Sequence, residues 1–188
     1  KKVGIYPDSS FFVEGDRKLQ FSTNVENIKL IVVRSFDVAT FLIYGAAHIA
    51  IIGSDVLTEF DHSEIYSPLD LSIGNCRMVV ATKKEMLLKE DPLEWSYVRV
   101  ATKYPNITKG FYSLRGKNVN CIKMNGAMEI APKLGLSDKI VDLVSSGMTL
   151  KANDLVEEEK ILKVTSHLII NRSAFKTRSK KIRFIMSL

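Results

Sequence analysis

Long apolar runs are missing from this sequence of 188 residues. The longest, Ile43 to Ile52, is broken by Gly45 and His48 and falls well short of the roughly 18 apolar residues that span a bilayer. Cysteine is scarce. Cys76 and Cys121 stand alone without metal-ligand spacing, which excludes a cysteine metal cluster and suits a reducing cytoplasm. The opening Lys1-Lys2-Val3-Gly4 leads into Pro7-Asp8-Ser9-Ser10 with no long apolar segment, so no secretory leader is expected there. Internal repeats, low-complexity tracts and obvious linkers are absent, as is any aromatic-and-basic strand motif of the RNA-binding kind. No histidine has a partner in view; His48 reads as a strand-end residue.

What is present is the composition of a soluble globular protein. At 46% apolar and 26% charged, the chain can build one generous domain or two small ones with a real core. A formal net charge of +6 calls for an anionic partner or serves solubility. Part of the excess lies near the end, in Arg172, Lys176, Arg178, Lys180, Lys181 and Arg183. The solvated face of a terminal helix, with Ile182 and Ile185 turned inward, accounts for that cluster better than a nucleic-acid site.

Hydrophobic periodicity predicts alternating strands and helices from Ile28 to Leu150. Residues 18–23 and 28–33 form a ladder, and Phe36 to Tyr44 carries Val38, Phe41 and Leu42 at helical spacing. Residues 48–52 make a continuous apolar strand of the kind covered on both faces. A polar loop is expected over 61–68, then a short strand over 69–73. The apolar run 76–82 is a second buried strand, 84–91 a charged surface segment, and 98–101 a further strand. Pro105 opens a helix with Ile107, Phe111 and Leu114 on one face. Strand 119–124, a helix over 127–134 bearing Glu129, one or two strands within 156–172 and a final helix over 177–188 complete the series. This is the grammar of an α/β fold with parallel sheets, whose ligands sit at the carboxyl ends of strands.

Those strand ends carry the chemistry. Residues 140–150 read as a buried strand, a small-residue turn and a helix start. The free backbone N–H groups of such a turn, at the positive end of a helix, favour phosphate. Ser145, Ser146 and Thr149 add hydroxyl donors, and Gly147 lets an anion approach the backbone. Taken alone, the stretch is equally a scaffold junction with Thr149 as an N-cap. Asp142 lies inside the apolar run, where an unpaired carboxylate is costly, so it needs a partner or a ligand. Gly53-Ser54-Asp55 has the same grammar. Arg99 with Thr102, Lys103 and Tyr104 closes one strand, Asn125-Gly126 closes the next, and Glu129 follows a turn later. Two anion-friendly turns and two interior acids point to a phosphorylated sugar or nucleotide.

Glu129, Gly135, Ser137, Ile140, Asp142-Leu143 and Ser146-Gly147-Met148-Thr149-Leu150 together resemble the signature of the ATP phosphoribosyltransferase family. Residues 34–40, 44–47 through 53–57, 75–81, 99–106 and 168–172 are also similar to that family, so the likeness covers nearly the whole chain. The resemblance implies two α/β lobes of the periplasmic-binding-protein type (type II), with the active site in the inter-lobe cleft. Residues 1–74 plus 170–188 would form lobe I and residues 75–169 lobe II, which takes the phosphoribosyl donor. Ending at Leu188, the chain is similar to the short form, without a C-terminal regulatory domain.

The implied reaction is the first step of histidine biosynthesis: N1 of the adenine of ATP attacks C1 of phosphoribosyl pyrophosphate, and pyrophosphate leaves. In the roles so implied, Ser145, Ser146, Gly147, Met148 and Thr149 cradle the 5-phosphate. Asp142 and Glu129 serve ribose hydroxyls or ribosyl-cation character, while Arg99, Lys103, Arg77 and Asp55 serve the nucleotide and phosphates. Mg²⁺ is implied as a cofactor carried by the substrate, with no protein metal site. Adenine N1 carries a lone pair and needs no general base, consistent with the lack of a catalytic histidine. The implied partner is a histidyl-tRNA-synthetase-like regulatory subunit, with this chain as a homo-oligomer inside a cytoplasmic hetero-oligomer that binds neither membrane nor nucleic acid. Met148 departs from the polar or basic residue usual in the family, His48 stands where Asp is usual, and Ala50 where Gly is. The usual opening strand and Pro-Lys-Gly-Arg turn are not seen, as if the chain began at Lys1-Lys2 inside the following helix. A solute-binding receptor of the same fold and an inactive subunit retained for assembly are the alternatives.

Overall fold

The computed structural model describes residues 4–15, 17–87 and 97–187. A short 3-10 turn over Ser9–Phe12, capped by Asp8, precedes the antiparallel pair β1 (Gln20–Ser22) and β2 (Lys29–Ile31). Helix α1 (Ser35–Ile43), β3 (Ile49–Gly53), α2 (Ser54–Phe60) and β4 (Ile65–Asp70) follow. Next come β5 (Cys76–Lys83), α3 (Lys84–Leu87), β6 (Tyr97–Thr102), α4 (Pro105–Ser113) and β7 (Asn118–Lys123). A 3-10 turn over Met128–Ile130 leads to β8 (Lys139–Val144), α5 (Met148–Ala152), β9 (Leu155–Val164) and β10 (Ser166–Asn171), then α6 (Arg172–Thr177) and α7 (Ser179–Ser187). Among the described residues no helix is long and apolar enough to cross a membrane.

The chain forms two compact units, the first from residues 1–52, 62–69 and 168–188, the second from 53–61 and 70–167. Residues 53–61 thus group with the second unit rather than with 1–74. The boundaries fall within or at the ends of β3, α2, β4 and β10, so the junctions have the composition of ordinary strand and helix and no linker is visible in the sequence.

In the first unit a three-stranded sheet has the order β3-β10-β4. Asn171 is buried and uses both halves of its amide. Its Oδ1 accepts the Ala174 N–H at 2.8 Å, capping α6, and its Nδ2 donates to the Leu42 carbonyl at 2.9 Å, satisfying the end of α1. Ala39 and Leu42 are fully buried. In α7, Ile182 is buried and Ile185 half-buried, with Lys180, Lys181 and Arg183 on other faces.

The second unit is built on a five-stranded sheet of order β7-β6-β8-β5-β9. Strand β6 runs parallel to β7 and β8, while β5 runs antiparallel to both β8 and β9. One strand therefore opposes the other four, which corrects the expectation of parallel sheets. An apolar run buried on both faces suits either direction, so periodicity could not tell that β5 is reversed. The core clusters Val79, Ala81, Ala101, Met128, Ala131, Ile140, Val144, Leu150 and Leu155 around β8. Burial of the larger of these side chains stabilises by about 1.5–3 kcal/mol each.

Other expectations also change. Strand β3 is an edge strand, and Ile51 on it is 58% exposed, so it is not covered on both faces. The second half of the expected 61–68 loop, residues 65–68, is part of β4, where Pro68 is tolerated because the strand lies at an edge. Leu114 is 88% exposed, since α4 ends at Ser113 and the chain leaves the packed face. The helix over 127–134 reduces to the 3-10 turn, with Ala127 in a left-handed conformation before it and Pro132 without an N–H after it. The terminal helix begins at Arg172 and is broken into α6 and α7. Of the charged segment 84–91, residues 88–91 lie outside the described residues, as do Lys1 and Lys2.

Helix α4 has no side-chain cap of its own. Instead Glu59 of α2, buried itself, accepts the Asn106 N–H at 3.0 and 3.1 Å and the Ile107 N–H at 3.0 Å. A carboxylate against the first turn of a helix is favoured by the free N–H groups and by the dipole. Glu59→Ala is expected to lower stability by about 2–3 kcal/mol, because one buried and one part-buried donor lose a charged acceptor. It should appear as a lower urea midpoint with an unchanged slope; an unmoved midpoint would show that Glu59 does not hold α4.

Candidate functional site

The site is built around the carboxyl end of β8, the middle strand of the second sheet. Asp142 faces Val79 of β5 in the ladder, and its neighbour Val141 faces Thr102 of β6. Thr102 is fully buried and locks this corner: its Oγ1 donates to the Val141 carbonyl at 2.9 Å and accepts the Tyr104 N–H at 2.9 Å. The half-buried Asp142 carboxylate accepts the Leu143 N–H at 2.8 Å. Burial, the largest influence, pushes its pKa up to about 6. The Leu143 bond and Lys103 pull it down, while the negative charges of Glu129 and Asp55 raise it further. Glu129, Lys103 and Asp55 stand apart from Asp142 in the sequence; here all three act on it.

Asp55, at the start of α2, is buried and accepts the Tyr104 hydroxyl at 2.7 Å. Burial, and then the charge of Asp55, keep that phenol protonated far above its ordinary range, so it serves as a donor. A Cβ on Gly53 would lie 2.0 Å from the Asp55 Oδ1, which is why only glycine fits there. This carboxylate is thus enclosed and partnered, while Asp142 is only half-buried.

After β8 the chain turns through Ser145, Ser146 and Gly147 into α5. Gly147 has φ +78° and is itself the N-cap, so Thr149 lies inside the helix and is not the cap. Ser145, Ser146, Met148 and Thr149 are all exposed, and Gly147 half-exposed. Met148 is 73% exposed, an apolar side chain beside a polar turn.

The two arginines part company. Because β5 is antiparallel, Arg77 at its start stands opposite Val144, at the same end as the turn. Its Nη1 donates to the Ser145 carbonyl at 2.9 Å, and its Nε to Glu157 Oε2 at 2.9 Å. Arg99 sits at the other end of the parallel pair, level with Asp138, roughly 13 Å of strand from Asp142 at 3.3 Å per residue. There it pairs with Asp138 at 2.7 Å and donates to the Gly135 carbonyl at 3.0 Å, holding the loop before β8. Sequence reasoning did not single out Glu59, Glu157 or Asp138; an acid three places after Gly135 and just before a strand was the available signal for Asp138. Among the described residues, no group of three or more His, Cys, Asp or Glu side chains is placed to hold a metal ion.

A mixed α/β sheet with a half-buried acid and an exposed glycine turn at the end of one strand is the arrangement found in proteins that bind phosphorylated small molecules. Residues 34–188 match the family described as HisG, ATP phosphoribosyltransferase. The chain belongs to the ATP phosphoribosyltransferase family, the enzymes of the first step of histidine biosynthesis. It is 58% identical to the ATP phosphoribosyltransferase of Rhizorhabdus wittichii, over 96% of this chain and 81% of that protein. Identity to the Rhodospirillum rubrum enzyme is 55%, over 96% and 79%. Among solved structures it is similar to the ATP phosphoribosyl transferase (HisG:HisZ) complex from Thermotoga maritima, with a TM-score of 0.78 and 31% identity, covering 93% of this chain and 85% of that one.

Asp142 gives a test with a definite sign. Its folded pKa of about 6 lies above the ordinary 3.8, so protonation stabilises the folded chain. That stability is complete below the ordinary value and is lost as pH rises through about 6. Asp142→Asn should therefore raise stability by about 3 kcal/mol above pH 7, keep the Leu143 bond and abolish turnover. Wild-type activity should fall on the acid side with an apparent pKa near 6. A less stable Asn variant, or one with normal turnover, would remove Asp142 from the site.

Proposed function

We propose that this chain catalyses phosphoribosyl transfer to ATP with the second unit as the donor-binding lobe. In this reading the turn Ser145 to Thr149 takes the 5-phosphate of phosphoribosyl pyrophosphate. The observation that supports it most is the pairing of that exposed turn with the raised carboxylate of Asp142 at one strand end. Backbone N–H groups of the turn and the hydroxyls of Ser145, Ser146 and Thr149 hold the phosphate. Asp142, with Glu129 beside it, orients the ribose hydroxyls and stabilises positive charge as the bond from C1 to pyrophosphate lengthens. Lys103 answers the negative charge of the phosphates. The attacking adenine nitrogen has its own lone pair, so no residue is assigned as general base. Arg99 is left out of this binding set, because its guanidinium is engaged with Asp138 and Gly135 at the far end of the strand pair.

Mg²⁺ is read as entering on the pyrophosphate of the donor rather than on a metal site of the protein's own. Such an ion would neutralise charge on the departing pyrophosphate. The two units are read as the lobes of a periplasmic-binding-protein-type fold of the second type, near residues 1–74 plus 170–188 and 75–169. A histidyl-tRNA-synthetase-like regulatory subunit, in a cytoplasmic hetero-oligomer, is the expected partner; the similar Thermotoga maritima structure is a HisG:HisZ complex.

Mixing the chain with ATP, phosphoribosyl pyrophosphate and Mg²⁺, with and without that subunit, should yield phosphoribosyl-ATP. Gly147→Val should cut kcat/KM for the donor by about a hundredfold or more while circular dichroism stays unchanged, since a β-branched residue cannot hold this turn. Wild-type rates in the variant would refute the turn's role. Donor binding without turnover, even with the subunit supplied, would instead mark an assembly subunit.

A further inference from the structure

Strand β9 carries three consecutive glutamates, and each meets a cation on a different element: Glu157 with Arg77, Glu158 with Lys139, Glu159 with Arg115. The first pair reaches the glycine turn. Two register shifts against β5 leave Glu158 and Ile161 of β9 without ladder partners. Such bulges bend a strand and re-aim its side chains. Glu157 is opposite Ala81 in the ladder, yet its carboxylate meets Arg77, four residues along β5, whose own position is level with Val144.

The guanidinium is divided between two tasks. Its Nε and Nη2 hold the two oxygens of Glu157, and Nη1 donates to the Ser145 carbonyl at 2.9 Å. A Cβ added to Gly147 would meet Glu157 Oε1 at 3.6 Å and Arg77 Nη2 at 4.0 Å, so the ion pair lies at contact distance from the left-handed residue. The turn's own bonds are weak by comparison. The Met148 N–H reaches Ser146 Oγ at 3.4 Å, α5 has no side-chain cap, and that helix is one turn long. A short, exposed turn of this kind keeps one shape when something outside it does the holding, and a planar bidentate fork is suited to that task.

We propose that Arg77 and Glu157 are positioning residues: a brace between β5, β9 and the turn that holds the Ser145–Gly147 backbone ready for the donor's 5-phosphate. Arg77 then acts through the Ser145 carbonyl and is not a phosphate ligand. The brace rests on the reading that this turn takes the donor phosphate.

The test uses the full chain with its regulatory subunit, varying ATP and phosphoribosyl pyrophosphate separately, and measures donor binding by calorimetry. Arg77→Met and Glu157→Gln should each raise the KM and Kd for the donor roughly tenfold, the value of one charge-assisted bond. The KM for ATP should stay within about twofold and the unfolding midpoint should not move. The double variant should be no worse than either single one, because both remove the same brace. Arg77→Lys, which keeps the charge without the fork, should behave like Arg77→Met. Unchanged or tighter donor binding in Glu157→Gln, with a large loss in Arg77→Met, would make Arg77 a direct phosphate ligand and overturn the proposal. Equal effects on ATP and donor would reduce the pair to general stability and overturn it too. If Gly147→Val binds the donor like wild type, the reading of the turn fails, and the brace with it; with that control intact, the Glu157 and Arg77 results decide the brace alone.

Discussion

A carboxylate held largely out of water at the end of a central strand is the constraint that organises the second unit. Burial raises the pKa of Asp142, and bonded polar groups stand around its strand and the helix beside it. Thr102 ties β6 to β8 by way of the Val141 carbonyl. Tyr104 and Asp55 satisfy each other under the site, and Glu59 satisfies the first turn of α4. Each of these is buried and partnered; Asp142 alone among them is set at an open end with one backbone bond. The local free energy given up at Asp142 is held in check by the rigidity of everything beside it.

Strand direction decides which cations serve the ligand end. Arg77 and Arg99 lie near the starts of their strands and look alike in the sequence. Because β5 is reversed and β6 is not, the start of β5 lies at the turn and the start of β6 lies at the far edge. The same reversal brings β9 alongside β5, and with it the glutamate that engages Arg77. One topological fact therefore assigns one arginine to the turn and the other to the loop before β8.

Much of the fold was legible in the sequence because the physics involved is local. The helix Ser35–Ile43, the Pro105 helix start, the strands 20–22, 29–31, 97–102, 118–123 and 139–144, and the strand–turn–helix around Gly147 follow from side-chain period, proline geometry and glycine's left-handed freedom. The misreadings involve neighbours distant in sequence. Ile51 looks like a buried residue until β3 turns out to be an edge strand. Residues 65–68 look like a polar loop because an edge strand tolerates Pro68 and leaves one side in water. The run Glu157-Glu158-Glu159 shows nothing of its partners in the sequence, yet its members meet cations 80, 19 and 44 residues away.

By itself the sequence determined the α/β class, the acid at position 142 in its apolar run, the glycine turn that follows, and the family signature that joins them. All of these depend on residues within some twenty positions of one another, where spacing and conformation are directly coupled. Tertiary structure alone decided that β5 is antiparallel, that Asp55 and Glu59 are internal supports, that Arg99 sits away from the turn, and that Arg77 reaches it in company with Glu157. Those assignments depend on which strands pair and in which direction. Pairing is settled by burying two faces of a sheet at once, a condition on the whole unit that no short stretch of sequence contains.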